Sequence, residues 1–293
     1  ELGRDLARRF AGAPGRLVLT SRRGAFPAQW RAPPVTTLVR AHELQQGPEG
    51  SSFLLELTPG ARASVRTGAH AGARAGTRAV LPRVPVRLSL LGDFNVDNAL
   101  TAAGVLLALD AAPEQIAFAL GECAAPPGRM QRVSGRAGSA LAIIDYAHKP
   151  DALAQALRAA RAHCAGKLRV VFGCGGDRDR GKRPMMGRAA SELADEIVLT
   201  DDNPRTEDPR RIVADIAAGI EASIAAGAGP VPVRIEHDRA AAIRETLARS
   251  VAGDVVLIAG KGHEAYQIVG TERRACSDLA VAQAFLAGSE GRA

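Results

Sequence analysis

From residue 140 onward the sequence alternates short apolar runs with longer segments of helical spacing. That alternation narrows the fold more than any other feature. The runs cover 140–144, 168–172, 196–200, 231–235 and 255–259. Helical patterns fill the intervals near 151–164, 185–194, 208–226 and 238–250, with a last one near 277–287. Strands alternating with helices make a parallel sheet with right-handed crossovers. The second half of the chain is therefore expected to be a doubly wound, Rossmann-like α/β domain. Ligands of such sheets bind beyond the carboxyl ends of the strands.

Polar clusters fall at those ends. Asp145-Tyr146-Ala147-His148-Lys149-Pro150 follows the first run, and a glycine-rich stretch from Gly173 to Pro184 follows the second. Asp201-Asp202-Asn203-Pro204-Arg205 follows the third, and Gly260-Lys261-Gly262-His263-Glu264 the fifth. One such cluster is ordinary turn chemistry. Four on one sheet edge define a shared binding cleft. Within the glycine stretch, Gly176 to Lys182 reads like a nucleotide-binding P-loop, but Arg183 stands where that loop needs Ser or Thr. Gly173-x-Gly175 opens like a dinucleotide fingerprint, but Arg178 takes the third glycine position. Neither motif is complete. Pro184 fits the first turn of the helix that follows, where a missing N–H leaves no bond unmade.

The residue types point to a ligand of mixed charge. Arg205 and Arg178 offer planar forks suited to carboxylates. Asp202 and Glu264 can receive an ammonium group, so an amino-acid-like zwitterion fits. Asp145, after a strand, suits ribose hydroxyls, and Arg129 or Lys149 suits phosphates. His148 reads equally as a phosphate or metal neighbour and as a structural cap, while His263 reads as orienting its own loop. The cleft is expected to take a nucleotide on one side and an amino acid on the other.

Upstream, 1–10 has helical spacing, and 17–20, 35–39, 52–57 and 86–90 read as strands, in antiparallel meanders at the edge of a larger sheet. No catalytic constellation occurs there, and His42 and His70 are expected on the surface. A strong helix runs from about 92 to Leu109, with Asn95 as its expected cap. Asn98, one turn in, is either solvent-facing or an amide that pairs with a nucleotide base edge. A second helix over 113–122 leads to Ala125-Pro126-Pro127-Gly128-Arg129-Met130, a natural hinge. The expected domains are 1–125 and 126–293.

Composition sets outer limits. A chain of 293 residues with 46% hydrophobic and 3% aromatic content builds an Ala/Val/Leu core of ordinary size. No apolar run is long enough to span a membrane, and no signal peptide is visible. The four cysteines, Cys123, Cys164, Cys174 and Cys276, have no metal-like spacing and suit a reducing compartment. The net charge of +7 comes from scattered arginines without an aromatic-interleaved basic patch, which gives no footprint for nucleic acid. The expectation is a cytoplasmic monomer with small-molecule partners, no nucleic acid, no membrane insertion and no protein-held metal.

Asn95-Val96-Asp97-Asn98-Ala99, Gly128-Arg129-Met130, Asp145-Tyr146-Ala147-His148-x-Pro150-Asp151, Phe172 to Asp179, Thr200 to Arg205 and Gly260 to Glu264 occur in this order in one family. The chain resembles the Mur ligases, strongly over about 90–285 and weakly before that. Lys149 stands where many members carry Thr. The resemblance implies an ATP-dependent amide ligase of peptidoglycan precursor synthesis, and so of cell wall biogenesis, cell shape and division. ATP, with Mg2+, would phosphorylate the D-glutamyl side-chain carboxylate of UDP-N-acetylmuramoyl-L-alanyl-D-glutamate. The amine of meso-diaminopimelate would then attack the acyl phosphate and expel phosphate. Carried over by motif, Arg178, Asp202, Asn203, Pro204, Arg205, Gly260 and Glu264 would hold diaminopimelate. Asn98, Arg129, Asp145 and His148 would contact ATP, and no catalytic residue is assigned within the chain. The Asp-Asn-Pro-Arg run points to diaminopimelate over lysine, whose far end lacks a carboxylate for Arg205.

The same resemblance makes 1–125 the back part of the ATP-binding central α/β domain and 126–293 the C-terminal domain for the incoming amino acid. Family members carry a P-loop ending in Gly-Lys-Thr or Gly-Lys-Ser, a modified lysine and magnesium-binding residues, none of which is found here. The chain is therefore expected to lack the first part of a longer enzyme and not to ligate alone. Alternatives are a non-catalytic amino-acid-binding module and a relative with another substrate, such as folylpolyglutamate synthetase. A nicotinamide-dependent oxidoreductase is disfavoured by the broken glycine fingerprint.

Overall fold

A computed structural model describes residues 17–21, 36–58, 82–133, 135–136 and 138–288. The helix expected over 1–10 and His70 lie outside them. The chain divides into two units, Glu1–Ala124 and Ala125–Ala293.

In the first unit, β1 (Leu17–Ser21), β2 (Thr36–Gly47), β3 (Gly50–Thr58) and β4 (Val84–Leu88) form one sheet in that order. The antiparallel meander holds for β2, β3 and β4, but β1 runs parallel to β2. β2 is longer than its apolar run because a bulge between His42 and Gln45, with Glu43 at φ 54°, carries the strand past its polar residues. Helices α1 (Asp93–Ala108) and α2 (Pro113–Gly121) bury Val96, Leu100, Leu107, Ile116 and Leu120 against Val39, Phe53, Leu55 and Val86. Asn95 does not cap α1. Gly92 holds the N-cap position, and the Asn95 amide instead donates to the Leu91 carbonyl, 2.8 Å away. His42 is not a simple surface residue either: it sits 3.2 Å from Glu56, which also receives Arg40 and Arg83. Burial pushes the Glu56 carboxyl up, but the hydrogen bonds from Arg40 and Arg83 outweigh it and hold the group below its ordinary range.

The second unit is the expected doubly wound α/β domain. Its sheet contains β5 (Gln131–Val133), β6 (Leu141–Asp145), β7 (Leu168–Phe172), β8 (Glu196–Leu199), β9 (Val233–Ile235) and β10 (Val255–Ala259). The spatial order is β5-β6-β10-β7-β8-β9, with every pairing parallel except β5 against β6. β7 and β10 are buried along their whole length, which is why they read as unbroken apolar runs. The crossovers are α3 (Pro150–Arg161), α4 (Lys182–Leu193), α5 (Pro209–Ala225) and α6 (Arg239–Ala248), with α7 (Asp278–Ala287) last. α4 starts two residues before Pro184, which still falls in the first turn. Asp208, Asp238 and Ser277 cap α5, α6 and α7 by accepting backbone N–H bonds.

Two features went unforeseen: the three-residue β5, and a hairpin of β11 (Tyr266–Val269) and β12 (Glu272–Ala275). The ends of the sheet differ in chemistry. At the amino-terminal edge, Arg169 is clamped by Asp254 at 2.6 Å and Glu196 at 2.9 Å, and Arg249 also reaches Glu196. These charges satisfy one another. The opposite edge carries the polar loops.

Candidate functional site

Four loops lie at the carboxyl edge of the second unit's sheet, joined in pairs by backbone hydrogen bonds. The loop after β7 lies on the loop after β8: Gly176 N donates to the Asn203 carbonyl at 2.9 Å, and Arg205 Nη1 donates to the Gly176 carbonyl at 2.7 Å. A Cβ on Gly176 would stand 1.9 Å from the Pro204 carbonyl oxygen, so this crossing admits only glycine. Asp177 and Glu207 brace the same crossing reciprocally. Asp177 N donates to Glu207 at 2.6 Å, while the Asp177 carboxylate accepts from Thr206 N and Oγ1. Arg183, at the position that spoils the P-loop match, is buried and bonds Glu207 and Asp215. The residue that breaks a nucleotide motif thus holds the loop's shape. Its hydrogen bonds, with those from Asp177 N and the charge of Arg180, draw the Glu207 carboxyl down to about 2. Cys174 is walled in against Met186, and burial pushes its thiol up to about 12, well away from a reactive thiolate.

Both arginines border Gly175. Arg205 Nη1 and Arg178 Cγ lie 2.9 and 3.7 Å from where a Cβ on Gly175 would sit. Arg178 is exposed and, among the described residues, bonds its neighbour's carbonyl, 3.3 Å away. The Arg205 backbone is held at φ 52° by β11: its N–H donates to the Ile268 carbonyl, and its own carbonyl accepts from Gly270 N. One guanidinium nitrogen is spent on Gly176, and the other nitrogens have no partner among the described residues.

On the acidic side, the mostly buried Asp202 carboxylate accepts no hydrogen bond from a described residue. It lies 2.8 Å from where a Cβ on Gly260 would sit, and Gly260 has φ 113°. Gly260 therefore contributes room, which any side chain would remove. Asn203 is hydrogen-bonded through both ends of its amide. Its Oδ1 accepts from Ile268 N at 2.8 Å and from Lys261 Nζ at 3.2 Å, and its Nδ2 donates to Glu264 at 3.1 Å. The amide orients its neighbours. Pro204 is buried and offers its carbonyl side to Gly176.

The loops after β6 and β10 form a second cluster with the segment before β5. Asp145 accepts from Met130 N and Ala147 N, each at 2.8 Å, which fixes both flanking turns. Burial raises its carboxyl above the ordinary range despite those bonds. The exposed Arg129 guanidinium lies 5.4 Å from the centre of the Tyr146 ring, with His148 edge-on at 4.8 Å and His263 at 5.7 Å. His148 Nδ1 sits 3.0 Å from its own loop's Tyr146 carbonyl, and the His148 carbonyl accepts from Lys182 at 2.8 Å, tying this loop to the glycine stretch. Asn98 belongs to the first unit, exposed on α1, with its amide 3.3 Å from Asn95. Sequence reasoning passed over Lys261 and Arg183 as site-shaping residues. Neither announces its burial, because the partners that allow a cation inside the protein lie on other loops.

Residues 128–262 match the family described as Mur ligase, glutamate ligase domain, and that segment is a Mur ligase C-terminal domain. Among named relatives, it is 53% identical over 203 residues to the UDP-N-acetylmuramoyl-L-alanyl-D-glutamate–2,6-diaminopimelate ligase of Xanthomonas campestris pv. campestris. It is 50% identical over 205 residues to the enzyme of that name from Xylella fastidiosa. These alignments cover 69% and 70% of this chain and 40% of each relative, so the chain spans well under half the length of the proteins it matches. A solved structure of a ligase with the same name superposes with a TM-score of 0.65 at 32% identity, covering 91% of this chain and 50% of that one. A folylpolyglutamate synthase from Thermotoga maritima, at 15% identity, a TM-score of 0.52 and covering 76% of this chain and 43% of its own, shares the fold alone.

Proposed function

We propose that the chain is the amino-acid-receiving part of an ATP-dependent amide ligase. It adds meso-2,6-diaminopimelate to UDP-N-acetylmuramoyl-L-alanyl-D-glutamate in peptidoglycan precursor synthesis. The observation that carries this reading is that Arg205 and Arg178 both border Gly175, near an Asp202 carboxylate that accepts no hydrogen bond from a described residue. Two forks and nearby carboxylates suit a ligand with a carboxylate and an ammonium at each end. L-Lysine satisfies only part of such a site. Asn203 and Pro204 hold the loop that presents Arg205, Gly260 leaves space beside Asp202, and Glu264 offers its free oxygen to an amine.

ATP would lie toward Arg129, Asp145 and His148 of the second unit. Arg129 fits this part, since its exposed guanidinium rests on Tyr146 with edges open to phosphate. When bound, ATP supplies the phosphoryl group that turns the glutamyl carboxylate into an acyl donor. Among the described residues no group of three or more His, Cys, Asp or Glu side chains could hold a metal ion, so no step is assigned to magnesium here. In this reading residues 1–125 belong to the ATP-binding domain and 126–293 to the amino-acid-binding one. No helix among the described residues is long and apolar enough to cross a membrane. A cytoplasmic monomer acting on small molecules, without nucleic acid, completes the proposal.

Calorimetric titration of meso-diaminopimelate and of L-lysine into the chain and its Arg205→Ala variant tests it. Diaminopimelate should bind selectively, and the substitution should cost about 2–5 kcal/mol. Equal affinity for both amino acids, or no effect of the substitution, would overturn the reading.

A further inference from the structure

Lys261 is the one lysine among the largest fully buried side chains, with 0% exposure, although it lies in a loop at the sheet edge where the site opens. Gly260 and Gly262, at φ 113° and 55°, turn the backbone so that the side chain between them points inward. Its ammonium meets Asn203 Oδ1 at 3.2 Å and Glu264 Oε2 at 3.5 Å, with the Tyr266 ring centre 5.8 Å away. Asn203 closes a triangle by donating from Nδ2 to that same Glu264 oxygen at 3.1 Å. A buried ammonium needs a compensating charge, and Glu264 is the carboxylate that ion-pairs with it. Both donors therefore fall on Oε2. Oε1 takes part in none of these contacts, on a side chain that keeps 21% of its surface exposed.

We propose that Lys261 is a positioning residue for the amino-acid site. It pins one oxygen of Glu264 so that the other is held toward the ligand's ammonium group. A neutral residue of the same shape would fill the space but leave the Glu264 carboxylate held by one amide hydrogen bond, free to swing among rotamers. The ligand would then have to order it on binding. This inference rests on the reading of the site as one for an amino acid with a carboxylate and an ammonium group.

The test is a double-mutant cycle read by titration of meso-diaminopimelate into the wild-type chain, Lys261→Met, Glu264→Gln and the double variant. Each single substitution should weaken binding about tenfold or more, and the double should be no weaker than Glu264→Gln alone within about twofold. Pimelate has the same two carboxylates and no amine. Its affinity should stay within about twofold in Lys261→Met, an outcome that general loosening of the fold would not give. Losses that multiply in the double variant, an unchanged Lys261→Met, or an equal loss for pimelate would each overturn the proposal. Should Lys261→Met fail to melt cooperatively, Lys261→Gln takes its place in the cycle. If the wild type binds L-lysine but not diaminopimelate, the ligand assignment falls and the cycle is judged on L-lysine. If it binds no amino acid, both fall together.

Discussion

The atoms nearest Gly175 belong to side chains: a Cβ there would stand 2.9 Å from Arg205 Nη1 and 3.7 Å from Arg178 Cγ. It would press on the Arg205 nitrogen that donates to the Gly176 carbonyl, so Gly175→Ala should cost the worth of that one hydrogen bond, roughly 1 kcal/mol. The displaced fork should lose its carboxylate contact. We expect diaminopimelate affinity to fall about tenfold or more, with only a small drop in the thermal melt; titration and calorimetric scanning on one sample separate the two. Gly176 is the contrasting neighbour, since a Cβ there would strike the backbone oxygen of Pro204 and disturb the crossing itself. At this scale the sequence showed which residue types gather but not how each is used. Asn203 belongs to the motif, yet its amide faces Lys261, Ile268 and Glu264. Arg183 is one more charge in a charged loop until Glu207 and Asp215, both on the next strand–helix unit, are folded against it. Burial of a cation is a tertiary fact, and no local pattern encodes it.

The elements behind those residues were read with uneven success, for physical reasons. β6, β7 and β10 lie in the middle of a parallel sheet and show as plain apolar runs. β5 has three residues, and β12 is exposed throughout, so neither carries an apolar run or a two-residue alternation strong enough to see. The crossing of the loops after β7 and β8 makes an element-scale prediction. Glu207 has its carboxyl drawn to about 2, chiefly by Arg183, against an unfolded value of 4.5. A depressed carboxyl contributes stability that is fully present above the unfolded value and is lost as pH falls through the folded one. The wild type should therefore resist urea better than Glu207→Gln at pH 6 to 7. The gap between their midpoints should narrow below about pH 4.5 and vanish near pH 2. A gap that persists to pH 2, or that opens only at high pH, would contradict the brace.

Across the whole molecule, each unit has its own sheet and its own core, one built on Leu55, Leu100 and Ile116, the other on Ile144, Val171 and Ile258. The second unit also completes its charge pairing internally, through Arg169 with Asp254 and Arg239 with Asp278. Residues 125–288 alone should therefore fold with a single cooperative melt and keep the amino-acid site, since Arg178, Asp202, Arg205, Lys261 and Glu264 all lie within them. Expression of that segment, its melting curve and a titration with meso-diaminopimelate check this; a non-cooperative melt would mean that the boundary is misplaced.

β10 is the last strand of the six-stranded sheet to be synthesised, yet it occupies the gap between β6 and β7. A ribosome that has delivered everything before Val255 has delivered two halves of a sheet with facing, unpaired edges and no strand to join them. Those edges are sticky for as long as the gap stays open. Closing it draws together segments distant along the chain, the slow kind of contact in folding. Residues 260 to 264 follow β10 directly, so the same late event that seals the sheet brings in the last wall of the cleft.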